Sequence, residues 1–349
     1  MKTRLKVVKN FLKDPLKENY FTIIKEFLTY SWRQKRFVKQ YFTYFIYRKG
    51  APSLDNFVDD RIIYRIWRNK ELYPAELTKN LNNKLLFYEI CQKNQINTPY
   101  LLAYNEKQQF FIEDKPQKIT SFNDFQKLLT TLVKKEPAQA IFVKPIDGHQ
   151  GENCYKITLE KLEDLALLET IFTQVIKSNF IFQRLVIQHP TVNLINKSSV
   201  NTIRFSVFIK DDGEVELLSA FMRVGQAGSE IDNITAGGYF VPIDLATGKF
   251  RGEGIQKLKT GYHPYSHTLE TNILLDGYQL PDIAAAIALV KKAAATFQLR
   301  LTGWDLALAE DGPIIIEGNT SYGIGSCDLA YGGYMKHPVF LEVIDKFGQ

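Results

Sequence analysis

The chain has 349 residues, 45% hydrophobic and 23% charged, which is enough apolar material for one large or two to three small cores and argues against a disordered chain. The net charge of +6 is uneven: residues 1–50 hold 13 Lys/Arg and 3 Asp/Glu, a net of +10, so the other 299 residues sum to −4. There is no run of about 18 apolar residues to form a transmembrane helix, and Cys91, Cys154 and Cys327 lie too far apart for a CxxC zinc site or a disulfide framework.

Residues 1–50 read as basic, aromatic-rich helix. Phe21, Ile24, Phe27, Leu28 and Trp32 recur at roughly helical spacing, and Phe37, Val38, Tyr41, Phe42 and Phe45 continue the pattern with Lys and Arg in the gaps. Two readings fit. One is an anchor on an anionic membrane surface or a membrane-bound partner. The other is a helical extension packed on its own domain. No recognised nucleic-acid module accompanies the charge, so nucleic acid is not expected as a partner. The N-terminus has no clean apolar core with a cleavage site, so no signal peptide is expected and the location is cytoplasmic.

Gly50-Ala51-Pro52-Ser53 marks a boundary. Residues 55–95 read as helical, with an amphipathic helix starting at Asn83-Lys84-Leu85-Leu86-Phe87-Tyr88. Ile96-Asn97-Thr98-Pro99 breaks into a strand near Tyr100–Tyr104, and 121–134 is a helix opening at a Ser121 or Asn123 cap. From Ala140 the texture is strand, glycine turn, strand: Ala140–Val143, Gly148-His149-Gln150-Gly151, Asn153–Ile157. A helix over Leu162–Lys177 precedes a strand over Phe180–Ile187. Thr202–Ile209, Val215–Val224 and Tyr239–Ile243 are further strands, Asp282–Gln298 is a helix, and Gly303–Ala309 and Pro313–Glu317 are strands joined by Glu310-Asp311-Gly312. Strands joined by turns predict antiparallel sheets with helices on one face, an α+β arrangement.

The strongest chemical signal is Gly303-Trp304-Asp305 followed by Glu317-Gly318-Asn319. Glu317 and Asn319 are two apart on a strand and share a face; Asp305 lies on the other strand of the hairpin. Two carboxylates and an amide oxygen suit Mg2+, a hard cation that keeps waters and takes phosphate oxygens. A solvated acidic face is at odds with the apolar neighbours Leu306, Leu308, Ile314 and Ile316. Lys144 ends a strand beside the Gly148–Gly151 loop, whose backbone N–H groups suit phosphate; taken alone, a hairpin turn is the plainer reading. Arg204, in Asn201-Thr202-Ile203-Arg204, and Arg223 on the next strand could clamp a triphosphate or carboxylate, or form a surface ion pair.

In this order the pieces resemble the ATP-grasp superfamily, and more closely its sugar-transfer-associated family, often found with polysaccharide biosynthesis. The residues behind the resemblance are Asn83-Lys84, Val143-Lys144-Pro145, Gly148–Gly151, Ser199–Arg204, Gly237-Gly238, Gly303-Trp304-Asp305 and Glu317-Gly318-Asn319, within about 80–325. The resemblance implies two antiparallel-sheet subdomains clasping ATP, with a helical N-terminal extension. The expected division is a basic amphipathic extension over 1–54, an N-terminal helical/α-β subdomain over 55–138, a lid over 139–188 and a catalytic subdomain over 189–349. It further implies that Lys84 and Lys144 hold ATP phosphates, that Gly148 and Gly151 belong to a flap over them, and that the backbone of Gln183, Arg184, Leu185 and Val186 passes adenine. Asp305, Glu317 and Asn319 would hold Mg2+, and Arg204 and Arg223 would act on the γ-phosphate or acyl phosphate. Two departures stand out: Gln183 replaces the usual hinge glutamate, and Glu152 follows Gly151 where a third glycine is common.

The implied activity is ATP- and Mg2+-dependent joining of a carboxylate to an amine through an acyl phosphate, on small-molecule or glycan-linked substrates. A nucleotide-binding scaffold or a phosphotransferase is the alternative. No general base stands out; His263 and His267 are candidates. The glycine-rich Asn319–Ser326 segment is a candidate for acceptor contact.

Overall fold

The computed structural model describes residues 2–148, 152–226, 228, 234 and 237–349. The N-terminal stretch forms three helices, α1 (Lys2–Lys13), α2 (Tyr20–Arg33) and α3 (Gln40–Thr43). Pro15 follows the end of α1 and disfavours helix at the residue before it. Asn19 then caps α2, its side chain accepting the Thr22 N–H at 2.9 Å. Ile23, Val38, Tyr41, Phe45 and Tyr47 are buried together with Leu54, Phe57 and the distant Leu258. This satellite core fastens the extension to its own protein. It is closed by Asp14, fully buried, which accepts from the Tyr47 hydroxyl and Arg48 Nε, each at 2.8 Å.

Helices α4 (Asp60–Arg68), α5 (Ala75–Asn82) and α6 (Lys84–Lys93) follow. Between the last two, the Asn83 side chain accepts the N–H groups of Leu85 and Leu86 at 3.1 and 3.0 Å, which starts α6 and sets Lys84 in its first turn.

The first sheet is built from β1 (Leu101–Glu106), β2 (Gln109–Ile112), β3 (Lys115–Lys118), β4 (Ala140–Pro145), β5 (Tyr155–Thr158) and β6 (Phe180–Arg184). Its order is β3-β2-β1-β6-β4-β5 and every neighbouring pair is antiparallel. Helices α7 (Phe122–Lys135) and α8 (Leu165–Val175) complete its core, with Phe110, Phe125, Leu129, Ile141 and Phe182 at the centre. A boundary at 138/139 would therefore cut this sheet, because β1 pairs with β6 across it. The β2–β3 turn runs through Glu113 and Asp114 at φ 49° and 60°, a left-handed turn built without glycine, and the usual sequence mark of a hairpin is missing there.

After the short α9 (Pro190–Asn193), the second sheet comprises β7 (Thr202–Ile209), β8 (Val215–Val224), β9 (Tyr239–Asp244), β10 (Lys249–Phe250), β11 (Leu301–Ala309) and β12 (Gly312–Asn319). The order is β10-β9-β8-β7-β11-β12, again antiparallel throughout. Helix α10 (Ile283–Phe297), with α5 and α6, covers the face bearing Ile203, Phe205, Trp304 and Leu306. Helices α11 (Ile324–Tyr331) and α12 (Pro338–Phe347), with α4, cover the opposite face at Phe208, Phe221 and Leu301. Helices thus lie on both faces of this sheet, not on one. The second apolar cover leaves the charged row at Arg204 and Asp305 to other partners. Among the described residues no helix is long and apolar enough to cross a membrane, and all three cysteines are free.

Candidate functional site

Strand register places Arg204 opposite Asp305, Asp305 opposite Glu317, and Gly303 opposite Asn319. Directly opposed side chains share a face, so all four polar side chains rise from one patch of the second sheet. The β11–β12 ladder slips between Asp305 and Leu306, pairing Leu306 with Ile315. This bulge re-aims the strand end that carries Glu317. The two glycines of the motifs permit close approach. A Cβ on Gly303 would lie 2.5 Å from Tyr322, and one on Gly318 would lie 2.4 Å from Leu81.

Asp305 is fully buried. The Arg204 guanidinium takes both of its oxygens, Nε on Oδ1 and Nη2 on Oδ2, the latter at 2.8 Å. Arg223 reaches Oδ2 at 3.1 Å and donates from Nε to the Thr202 hydroxyl at 2.8 Å. Burial alone would raise the Asp305 carboxyl, but Arg204 and then Arg223 outweigh it and hold it at about 2. The Asn319 amide Nδ2 donates to Glu317 Oε1 at 3.2 Å and lies 3.5 Å from Asp305 Oδ2. A positively polarised NH2 group therefore sits between two carboxylates. Among the described residues no three His, Cys, Asp or Glu gather as a metal cluster, so two carboxylates plus one amide is the donor set on offer. That set suits Mg2+ sharing its shell with water and phosphate.

Across the cleft stand the two predicted lysines. Lys84, Lys144, Gly148, Gln183, Glu317 and Asn319 all line it. Lys144 is buried on β4; burial pushes its ammonium pKa down, Glu317 pulls the other way, and Lys84 adds to the lowering. Lys84 Nζ donates to the carbonyl oxygens of Gly148 at 2.9 Å and Ile146 at 3.3 Å, tying α6 to the loop after β4. Gly151, with His149 and Gln150, lies outside the described residues.

The four hinge residues separate. Gln183 is buried in the cleft and donates to the Pro99 carbonyl at 3.1 Å. Arg184 turns its side chain away, binding Glu136 at 2.6 Å and lying over the Tyr100 ring. Leu185 and Val186 follow the end of β6, outside its ladder. His263 stacks on Tyr262 in a separate cavity beside Phe45 and Arg48, and His267 bonds Ser266 at the surface, so neither histidine lines the cleft. In the Asn319–Ser326 segment Tyr322 and Ile324 are buried, which leaves Ser321 and Gly323 exposed.

Two residues not singled out in the sequence belong to this neighbourhood. Lys257 is half-buried; burial lowers its pKa, followed by the charges of Lys259, Arg204 and Arg223. The Cys154 thiol is raised by burial and lowered by the charges of Lys144 and Lys84. No motif marks either of them. Five cations thus face two carboxylates, an excess of positive charge suited to a polyphosphate.

A model of the sugar-transfer-associated ATP-grasp family matches residues 68–345. No curated protein matches the chain. Among solved structures, the ATP-grasp ligase PsnB complexed with precursor peptide PsnA2 and AMPPNP is 13% identical over 79% of this chain and 62% of its own, with a TM-score of 0.42. The chain therefore spans about three fifths of that ligase. D-alanyl-alanine synthetase A from Vibrio cholerae is 13% identical over 78% of this chain and 67% of its own (TM-score 0.45). Biotin carboxylase from Campylobacter jejuni is 11% identical over 78% and 47% (TM-score 0.46).

Proposed function

The chain belongs to the sugar-transfer-associated ATP-grasp family, and from that premise we propose that it is an ATP- and Mg2+-dependent ligase that activates a carboxylate as an acyl phosphate and joins it to an amine, with a glycan precursor supplying one of the two. The observation that carries the reading is the facing of Glu317 and Asn319 against Lys84 and Lys144 across one cleft, with the Asn319 amide nitrogen 3.5 Å from the buried Asp305.

A carboxylate is a poor acyl donor because its oxygen leaves badly. Its oxygen attacks the γ-phosphorus, the bond to the β–γ bridging oxygen breaks, and ADP departs. The amine nitrogen then attacks the acyl carbon, inorganic phosphate leaves, and the amine gives up a proton. Mg2+ held by Asp305, Glu317 and Asn319 would supply charge neutralisation at the transferred phosphoryl group. Lys144 and Lys84 hold phosphate oxygens from the opposite wall. Arg204 acts chiefly by fixing Asp305, since its guanidinium already spans both carboxylate oxygens. Arg223 and Lys257 border the same patch and suit the carboxylate or the acyl-phosphate oxyanion.

The test is product chemistry. Full-length protein with ATP, Mg2+ and pools of acids and amines is expected to release ADP and phosphate only when both pools are present. The new product should have the mass of acid plus amine less water. AMP release would overturn the acyl-phosphate route. A phosphorylated acid that accumulates beside an unused amine would make the protein a phosphotransferase.

A further inference from the structure

We infer that the N-terminal helices dock this protein on the surface of an anionic lipid bilayer. Each helix carries two apolar faces. On α1, Val7 and Phe11 pack into the satellite core, while Leu5, Val8 and Leu12, spaced i, i+3, i+7, face solvent. On α2, Ile23, Phe27 and Tyr30 turn inward, while Phe21, Ile24, Leu28 and Trp32 form a second stripe facing outward. Phe21 and Trp32 are 80% and 81% exposed. Among the described residues, ten of the eighteen exposed large hydrophobic side chains lie between positions 5 and 37, a concentration that marks a binding surface.

The charge that residues 1–50 turn outward is mostly of one sign, and the exposed Asp55 offsets Arg33 alone, at 3.0 Å. Lys6, Lys9, Lys13, Lys25, Lys35 and Lys39 are exposed. The three acids of the segment are turned in or covered: Asp14 is fully buried, Glu26 accepts from the Tyr41 hydroxyl, and Glu18 is half-buried. A second copy of the chain would press two such cationic surfaces together. A nucleic acid would leave the aliphatic Leu5, Val8, Ile24 and Leu28 without bases to stack on. A bilayer accepts both features, with the apolar stripe entering the headgroup–acyl boundary and lysines reaching anionic headgroups. The inner faces hold both helices in place beforehand, so docking does not have to fold them. The extension also reaches the candidate site's neighbourhood: a Cβ on Gly325, in the first turn of α11, would lie 2.5 Å from the Tyr44 hydroxyl.

Flotation of the full-length protein with vesicles tests this. Vesicles containing one-third phosphatidylglycerol are expected to bind it at least about tenfold more strongly than pure phosphatidylcholine, with release by high salt. Phe21→Glu/Leu28→Glu/Trp32→Glu is expected to lose about tenfold or more of that binding at an unchanged melting temperature, because all three side chains are exposed. Absence of flotation, equal binding to neutral vesicles, or undiminished binding by the triple variant would overturn the inference. Self-association that the triple variant abolishes, without flotation, would overturn it in favour of a second copy. Binding to an acidic protein without flotation would overturn it in favour of a protein partner.

Discussion

On the second sheet, Arg204 and Arg223 close on one buried carboxylate from β7 and β8. In α1 and α2, Lys6, Lys9, Lys13 and Lys25 point outward, and the apolar side chains between them are just as exposed. The same kind of charge is built in opposite ways. The two guanidinium groups are held by a carboxylate fixed in place, so this part of the site depends on individual atoms. An exposed cation costs little, so the extension depends on density, and no single lysine carries it.

The largest effect expected from this contrast is at the carboxylates. Asp305→Asn and Glu317→Gln should each lower ADP release by roughly a thousandfold or more. Only Asp305→Asn should also destabilise the fold, by about 3–5 kcal/mol in urea unfolding, because it leaves Arg204 buried against a neutral amide. If Glu317→Gln unfolds as readily as Asp305→Asn, Glu317 is structural and the two carboxylates do not differ as described. Lys144→Met comes next. Calorimetry should show ATP bound roughly tenfold to a hundredfold more weakly, while stability holds or rises because the buried ammonium's desolvation is relieved.

Within α2 the two faces can be set against each other. Ile23→Ala should cost about 2–3 kcal/mol, because Ile23 is 3% exposed in the satellite core. Phe21→Ala, on the outer stripe, should stay within about 0.5 kcal/mol. Equal costs would mean that the outer stripe is covered in solution.

A last effect, visible only as pH is varied, concerns Asp328 in α11, which accepts the N–H groups of Val58 at 2.9 Å and of Tyr334. Burial pushes its carboxyl up to about 7 from an ordinary 3.8, and those two N–H groups pull back. The folded protein then holds a proton that the unfolded chain has released. Its contribution to stability is full below about pH 4 and declines as pH rises toward 7, after which it is flat. Asp328→Asn should remove that slope from melting temperatures measured across pH 5 to 8.

Elements whose cause is local could be read directly. Ser121 caps α7 and Asn83 caps α6, and the β-branched and aromatic residues of β7 and β8, bounded by the Asp211-Asp212-Gly213 turn, mark their extents. The two-residue spacing of Glu317 and Asn319 is enough to put them on one face, because side chains alternate along any strand. β2 and β3 escaped notice because their turn, at Glu113 and Asp114, takes a glycine-like conformation with other residues. The turning-away of Arg184 toward Glu136, 48 positions earlier, has no local mark either.

By itself the sequence determined the α+β class and most of the strands along the chain, and it supplied the candidates for holding a divalent cation and a polyphosphate, since each follows from spacing and side-chain chemistry. Only tertiary structure decided that Asp305 would be shared by Arg204 and Arg223, because strand register brings together groups 101 positions apart. It also decided which apolar face of α2 would be covered. Both faces carry large hydrophobic residues at helical spacing, and periodicity states that a face exists without saying what lies against it.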